Sequence, residues 1–325
     1  MSKRNHVFIS ECQFKTHRHF IHFFIFTRPR NEDGAPVIFS RLAETGIPLL
    51  DFPERHTLFL SCALTRMHEY TNVQMHTFSN LYGLIGYPLS HSFSRRYFNE
   101  KFRQEKMSDH HYELFPLEDI GELPALLAAH SNLKGLNVTI PYKQQVMAYL
   151  DELSEGAAAV GAVNTIKIRE GKLTGYNTDV YGFEQSLRQF LEESNAVAGL
   201  QALVLGTGGA AKAVVYVLAR MGIPYRMVSR RQAPGQLTYQ ELNETLIQDF
   251  RLIVNTTPLG MSPKVETCPD IPFQHLGPKH LLFDLVYNPE ETAFMARGKR
   301  RGAAARNGLQ MLHLQAEKAW EIWNS

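Results

Sequence analysis

At 325 residues the chain is long enough for two ordinary domains, on a scale of roughly 100–200 residues each. Its 44% hydrophobic and 20% charged content is that of a globular protein with a sizeable core, and a net charge of +2 carries no global signature for nucleic acid or a membrane surface. Cys12, Cys62 and Cys268 lie far apart, which excludes a disulfide framework or zinc motif and fits a reducing compartment, and no apolar run reaches the roughly 18 residues of a membrane span. The expected protein is cytoplasmic, holds no metal, has no nucleic-acid or membrane partner, and is a monomer or homodimer.

Residues 1–76 hold seven of the fourteen histidines, His6, His17, His19, His22, His56, His68 and His76, at spacings unlike those of a metal site. They show neither sustained strand alternation nor a helical stripe. The run Phe20–Phe26 is broken by His22, is followed by Thr27-Arg28-Pro29-Arg30 and lacks a small-residue cleavage site, so it is not a secretory signal. Glu11 is the only acid before Asn31, which leaves a transit peptide as an alternative. The plainer expectation is a poorly ordered extension, with the functional chain beginning at Met75.

From Leu81 the pattern becomes regular. Leu81–Gly86 reads as a short apolar strand, Arg95–Glu105 as a helix, and Tyr112–Pro116, Gly135–Ile140 and Val163–Ile168 as strands. Helix-like segments at Glu122–Ala129, Tyr142–Leu150 and Glu155–Val160 separate them, which implies βαβ units and a mostly parallel sheet. The segment GLNVTIPYK (135–143) is unusual for a strand end. Asn137 and Thr139 share one face, Pro141 stops the ladder, and Lys143 follows where strand gives way to loop. A solvated face is one reading, and a site for a small polyhydroxylated molecule is the other. Gly175–Asp179 has the look of a loop leading into a helix at Val180–Leu191, where Asp179 taken alone is an N-cap residue.

A second unit opens with the apolar strand Gln201–Leu205, leading into Gly206-Thr207-Gly208-Gly209-Ala210-Ala211 and a helix through Arg220. The pattern G-x-G-x-x-A between strand and helix marks a dinucleotide site: Gly206 permits a tight turn, Gly208 a close approach to pyrophosphate, and Ala211 close packing of helix on strand. The helix N-terminus then meets the phosphates with free N–H groups. After the next strand, Tyr225–Val228, comes Ser229-Arg230-Arg231 with no acid for a ribose 2′-hydroxyl. Guanidinium groups there match a 2′-phosphate, so the cofactor inferred is NADP(H).

The segments GLIGYPLSHSFS, GLNVTIPYK, GAVNT, GYNTD, VLGTGGAAKA, VNTTPLGM, DLVYNP and NGLQMLHLQA occur in this order, and together they strongly resemble the shikimate dehydrogenase family from about Leu81 to the C-terminus. The resemblance implies an α/β fold with an N-terminal α/β catalytic domain, a mostly parallel sheet, an NADP-binding Rossmann domain and a cleft between them. The domains implied are 77–178 with 307–325 for substrate and 179–306 for NADP, with 1–76 as extension. The activity implied is the reversible NADPH-dependent reduction of 3-dehydroshikimate to shikimate, in aromatic amino acid biosynthesis.

By the same resemblance Lys143 and Asp179 match the catalytic pair. Ser92 and Ser94 match the binders of the substrate carboxylate. Asn137, Thr139, Asn164 and Gln315 match the binders of its ring hydroxyls, with Tyr287 nearby. Gly206, Gly208, Gly209, Ala210, Ser229, Arg230, Thr256 and Gly308 fall on the cofactor side. Two departures stand out: Arg95 follows the second serine where the family often has proline, and Ser229 stands where asparagine is common. A quinate/shikimate dehydrogenase of relaxed specificity and a non-catalytic ligand-binding homologue remain as alternatives. The basic run Arg297, Lys299, Arg300 and Arg301 has no aromatic interleaving and reads as solvated surface.

Overall fold

The computed structural model describes residues 8–15, 20–27, 38–42, 78–89, 92–195 and 199–325. The chain divides into two compact units, Met1–Met75 and His76–Ser325. In the first, β1 (Phe8–Lys15), β2 (Phe20–Thr27) and β3 (Ile38–Leu42) form an antiparallel three-stranded sheet in the order β1-β2-β3. These strands were not expected from the sequence. The near-continuous apolar run of β2 has no period to read, and such a run is ambiguous without one. The rest of the expected extension lies outside the described residues.

The second unit carries two six-stranded sheets. The first is built from β4 (Asn80–Gly86), α1 (Phe93–Gln104), β5 (His110–Pro116), α2 (Leu123–Ala129), β6 (Leu133–Val138), β7 (Glu152–Leu153), α3 (Glu155–Val160), β8 (Thr165–Arg169) and β9 (Lys172–Tyr176), in the strand order β5-β4-β6-β8-β9-β7. It is parallel through β5-β4-β6 and at β7-β9, and antiparallel where β8 meets β6 and β9. The two-residue turn between β8 and β9 has Glu170 at φ 53° and Gly171 at φ 79°, the positive-φ pair that a tight hairpin requires. So β9 occupies residues through Tyr176 that the sequence had read as loop.

The expected helix at Tyr142–Leu150 is instead a turn followed by a 3₁₀ stretch at Gln145–Tyr149. The carbonyl of Lys143 accepts from the N–H of Val163 at 2.7 Å. It is therefore withheld from an α-helical ladder, and the same bond pins the Lys143 backbone beside the end of β6.

After α4 (Thr178–Glu193) the second sheet is formed by β10 (Ala202–Leu205), α5 (Gly209–Arg220), β11 (Tyr225–Ser229), β12 (Gln236–Thr238), α6 (Glu244–Asp249), β13 (Leu252–Asn255), β14 (Leu281–Asp284), α7 (Ala293–Lys299) and β15 (Ala304–Arg306). All its pairs are parallel, in the order β12-β11-β10-β13-β14-β15. That is the 3-2-1-4-5-6 order of a dinucleotide-binding sheet, with its switch point beside β10. β10, β13 and β14 are buried at every residue, which explains their apolar sequence up to the buried Asn255 and Asp284 that end β13 and β14.

The last helix, α8 (Leu309–Asn324), returns to the first sheet, where the indole N–H of Trp323 donates to the Ile166 carbonyl at 3.0 Å. Phe98, Phe102, Tyr82, Tyr112 and Trp323 form the aromatic core between this helix, α1 and the sheet. Among the described residues no helix is long and apolar enough to cross a membrane.

Candidate active site

A cavity of about 410 Å³ opens beside the C-terminal ends of β4 and β6. Its wall brings together Ser92, Ser94, Asn137, Thr139, Lys143, Asn164, Asp179, Ala210, Tyr287, Gly308 and Gln315, residues spread over more than two hundred positions of sequence. Gly206, Gly208, Gly209, Ser229, Arg230 and Thr256 lie outside this wall, on the nucleotide-type sheet.

Ser92 is the N-cap of α1, its hydroxyl oxygen accepting the N–H of Arg95 at 3.3 Å. A proline at 95 has no N–H to give, so the departure at this position adds a capping bond. The oxygen is thus occupied while its proton remains available to an anion. An anion here also meets the positive end of a twelve-residue helix.

Asn164 is 3% exposed, and its Oδ1 accepts from the backbone N–H of Thr178 at 2.7 Å. A backbone N–H can only donate, so this contact settles the amide orientation and leaves Nδ2 free as a donor. The hydroxyls of Thr165 and Thr178 add contacts to the same oxygen at 3.2 Å. Thr178 also reaches Gln315 Oε1 at 3.3 Å, while Gln315 Nε2 donates to the Leu312 carbonyl at 3.0 Å. Thr139 lies just beyond the end of β6, with its N–H on the Ile85 carbonyl at 2.9 Å. Across the cavity Tyr287 meets Phe93 edge-on, with ring centroids 6.4 Å apart.

Lys143 Nζ donates to Asp179 Oδ2 at 2.6 Å, with side chains only 22% and 14% exposed. Asp179 is not the cap of α4. Asn177 takes that role, its Oδ1 accepting from Val180 N at 3.3 Å. The carboxylate of Asp179 is thereby left for the ammonium, which keeps two further N–H groups for a ligand.

On the nucleotide side Gly206 has φ +108° and turns the chain out of β10. Any other residue would be strained there, and its Cβ would sit 2.7 Å from Thr256 Oγ1. Thr256 spends its own hydroxyl on the Leu205 carbonyl at 2.7 Å and so holds the turn from beneath. Gly208 caps α5 without a side-chain bond, and a Cβ at Gly208 or Gly209 would enter open space. Bare backbone facing open space at a helix N-terminus fits a pyrophosphate. A Cβ at Gly308 would come within 2.1 Å of the Leu285 carbonyl, so close packing on that carbonyl accounts for this glycine. Ser229 ends β11 and accepts the Arg231 N–H at 3.2 Å, and the exposed Arg230 follows it. The residues present fit NADP.

A further feature falls within the segments VNTTPLGM and DLVYNP, on Asn255 and Asp284, which were not among the expected site residues. Asp284 ends β14 fully buried and accepts from Asn255 Nδ2 at 2.9 Å, Val286 N at 3.0 Å and Thr292 Oγ1 at 2.6 Å. Asn255 in turn accepts from the N–H and hydroxyl of Thr257, so the carboxylate anchors the loop beneath Gly206. Burial pushes the Asp284 carboxyl up to about 6, against the opposing pull of Thr292, Val286 and Asn255. A raised acid stabilises the fold fully below its unfolded pKa of about 3.9, and that stability is lost as pH rises through about 6. Asp284→Asn, which keeps the shape without the charge, is expected to gain about 2–3 kcal/mol on the parent between pH 4 and pH 7. Denaturant melts across that range check it, and parallel profiles for the two proteins would refute it.

A nucleotide-type parallel sheet with a glycine turn at its switch point, beside a polar cleft holding a lysine–carboxylate pair, defines a dinucleotide-binding α/β protein of the dehydrogenase type. Residues 84–166 match the model of the shikimate dehydrogenase substrate binding domain. A shikimate dehydrogenase (NADP(+)) of Desulforamulus reducens is 39% identical over 263 residues, covering 74% of this chain and 88% of that protein. One of Clostridium beijerinckii is 41% identical over 254 residues, covering 74% and 91%. The crystal structure of shikimate 5-dehydrogenase from Thermus thermophilus, in complex with NADP(H) and shikimate, matches with a TM-score of 0.64 at 29% identity, over 75% of this chain and 93% of that one. The chain belongs to the shikimate dehydrogenase family.

Proposed function

We propose that this protein is an NADP-dependent oxidoreductase that reversibly reduces 3-dehydroshikimate to shikimate, with Lys143 and Asp179 as its general acid/base pair. The observation that carries this reading is the 2.6 Å Lys143–Asp179 contact inside a polar cavity that also takes in Ala210 and Gly308 from the nucleotide side. Relatives named as NADP(+) shikimate dehydrogenases, and a structural neighbour holding NADP(H) and shikimate, support the same substrates.

Ser92 and Ser94 hold the carboxylate at the start of α1. Asn137, Thr139, Asn164 and Gln315 pair with the ring hydroxyls, each of which needs a partner once water is excluded. Tyr287 closes the far wall. Gly206, Gly208, Gly209, Ala210, Thr256 and Gly308 form the cofactor loop and its surroundings, and Ser229 and Arg230 read the 2′-phosphate. Bound NADPH supplies hydride to the carbonyl carbon. Lys143 stabilises the negative charge that develops on the carbonyl oxygen and delivers the proton, while Asp179 orients the ammonium.

In this reading residues 77–178 with 307–325 bind substrate and residues 179–306 bind cofactor. The enzyme works in the cytoplasm of cells that make aromatic amino acids, as a monomer or homodimer. The test follows NADPH absorbance on addition of 3-dehydroshikimate. Oxidation that depends on that substrate is expected. Its absence, or faster turnover of quinate with NAD, would replace this reading with one of the alternatives.

A further inference from the structure

Behind the substrate wall lies a buried phenol. Tyr112 on β5 is 0% exposed, and its ring stacks on Phe98 with centroids 4.8 Å apart. Its hydroxyl donates to Asn137 Oδ1 at 2.7 Å. Asn137 lines the cavity, whereas Tyr112 does not. Burial holds its phenol well above the ordinary range, so it stays a protonated donor at any working pH.

On the other side of the Asn137 amide, Nδ2 donates to Thr165 Oγ1 at 3.2 Å and faces the Asn164 carbonyl at 3.4 Å. That carbonyl can only accept, and the Thr165 hydroxyl lies 3.2 Å from Asn164 Oδ1, where it spends its own proton. A flipped amide would set its oxygen against two acceptors and take the acceptor away from the Tyr112 hydroxyl. Asn137 thus has one satisfied orientation, and the Tyr112 hydroxyl is the donor that its oxygen meets.

We propose that Tyr112 is a positioning residue for substrate recognition: its hydroxyl locks the Asn137 amide in one orientation, fixing which atom meets a ring hydroxyl. The inference rests on the proposed assignment of Asn137 to substrate. It concerns binding of substrate alone, because nothing in this chain of bonds touches Lys143 or the cofactor loop.

Tyr112→Phe keeps the stacked ring and removes only the hydroxyl. In the full-length enzyme it is expected to raise KM for 3-dehydroshikimate roughly tenfold, the scale of one buried group left unpaired. The value of kcat should stay within about twofold and KM for NADPH should not move. Thr165→Val, which loosens the opposite side of the same amide, should give the same split. In an Asn137→Ala background Tyr112→Phe should add nothing to KM, since the group it positions is gone. An unchanged KM, equal losses for substrate and cofactor, or additive effects with Asn137→Ala would each overturn the inference. An inert parent enzyme overturns the functional reading and this inference with it. An active parent whose variants lack the split overturns this inference alone.

Discussion

Lys143→Met is expected to lower kcat by roughly 10²–10⁴, the usual range for loss of a general acid, while KM for 3-dehydroshikimate changes far less. Methionine retains most of the unbranched stem, so packing around the half-buried side chain is largely kept and the ammonium alone is lost. Asp179→Asn should also depress kcat, because the bond at 2.6 Å loses its charge and the amine loses the partner that aims it. Combining the two should cost little more than Lys143→Met by itself, since groups that act as a unit are not additive. Steady-state kinetics on the three variants decide the matter. Near-normal kcat in Lys143→Met would mean that the proton comes from elsewhere. An effect confined to KM in both single variants would make the pair a binding device.

Arg230→Ala is expected to weaken NADPH binding by roughly 1.5–3 kcal/mol, the worth of a charge-assisted hydrogen bond, and to leave NADH almost untouched. Arg230 leaves the end of β11 exposed, directly after a serine whose side chain holds the turn through the Arg231 N–H. No aspartate or glutamate directly follows this strand in the sequence to pair with a ribose hydroxyl. On the proposed reading, charge at Arg230 sets the cofactor preference. Fluorescence titrations with both nucleotides measure it, and equal losses would show that Arg230 does not read the 2′-phosphate.

The opening of the nucleotide-type half, from β10 to β11, was legible in the sequence, because its signals are local. β10 is buried at every residue, and such a strand is spelled as an unbroken apolar run. The turn at Gly206 needs a positive φ that glycine supplies, and that need shows as a glycine at the strand end. Where a local rule was missing or overridden, the reading failed. The segment 142–150 has helical spacing, yet Lys143 gives its carbonyl to Val163, twenty residues away and invisible to any local period. Asp179 has the composition of a cap, but the cap falls two residues earlier, at Asn177. β1, β2 and β3 escaped because neither strand nor helix period was evident in their residues.

By itself, the sequence determined β10, β11 and the helix between them, the glycine turn and the basic strand end in place of an acid, since each depends on neighbours a few residues apart. Motif order also named the residues of the cleft, without their geometry. Only the tertiary structure decided that Lys143 and Asp179, thirty-six positions apart, meet at 2.6 Å. It alone showed that Thr178 orients Asn164, that Tyr112 backs Asn137, and that a buried carboxylate at Asp284 anchors the loop beneath Gly206. The physical reason is the same in each case: a hydrogen bond is set by distance and direction in space, and residues far apart in sequence acquire both only when the strands and helices between them have packed.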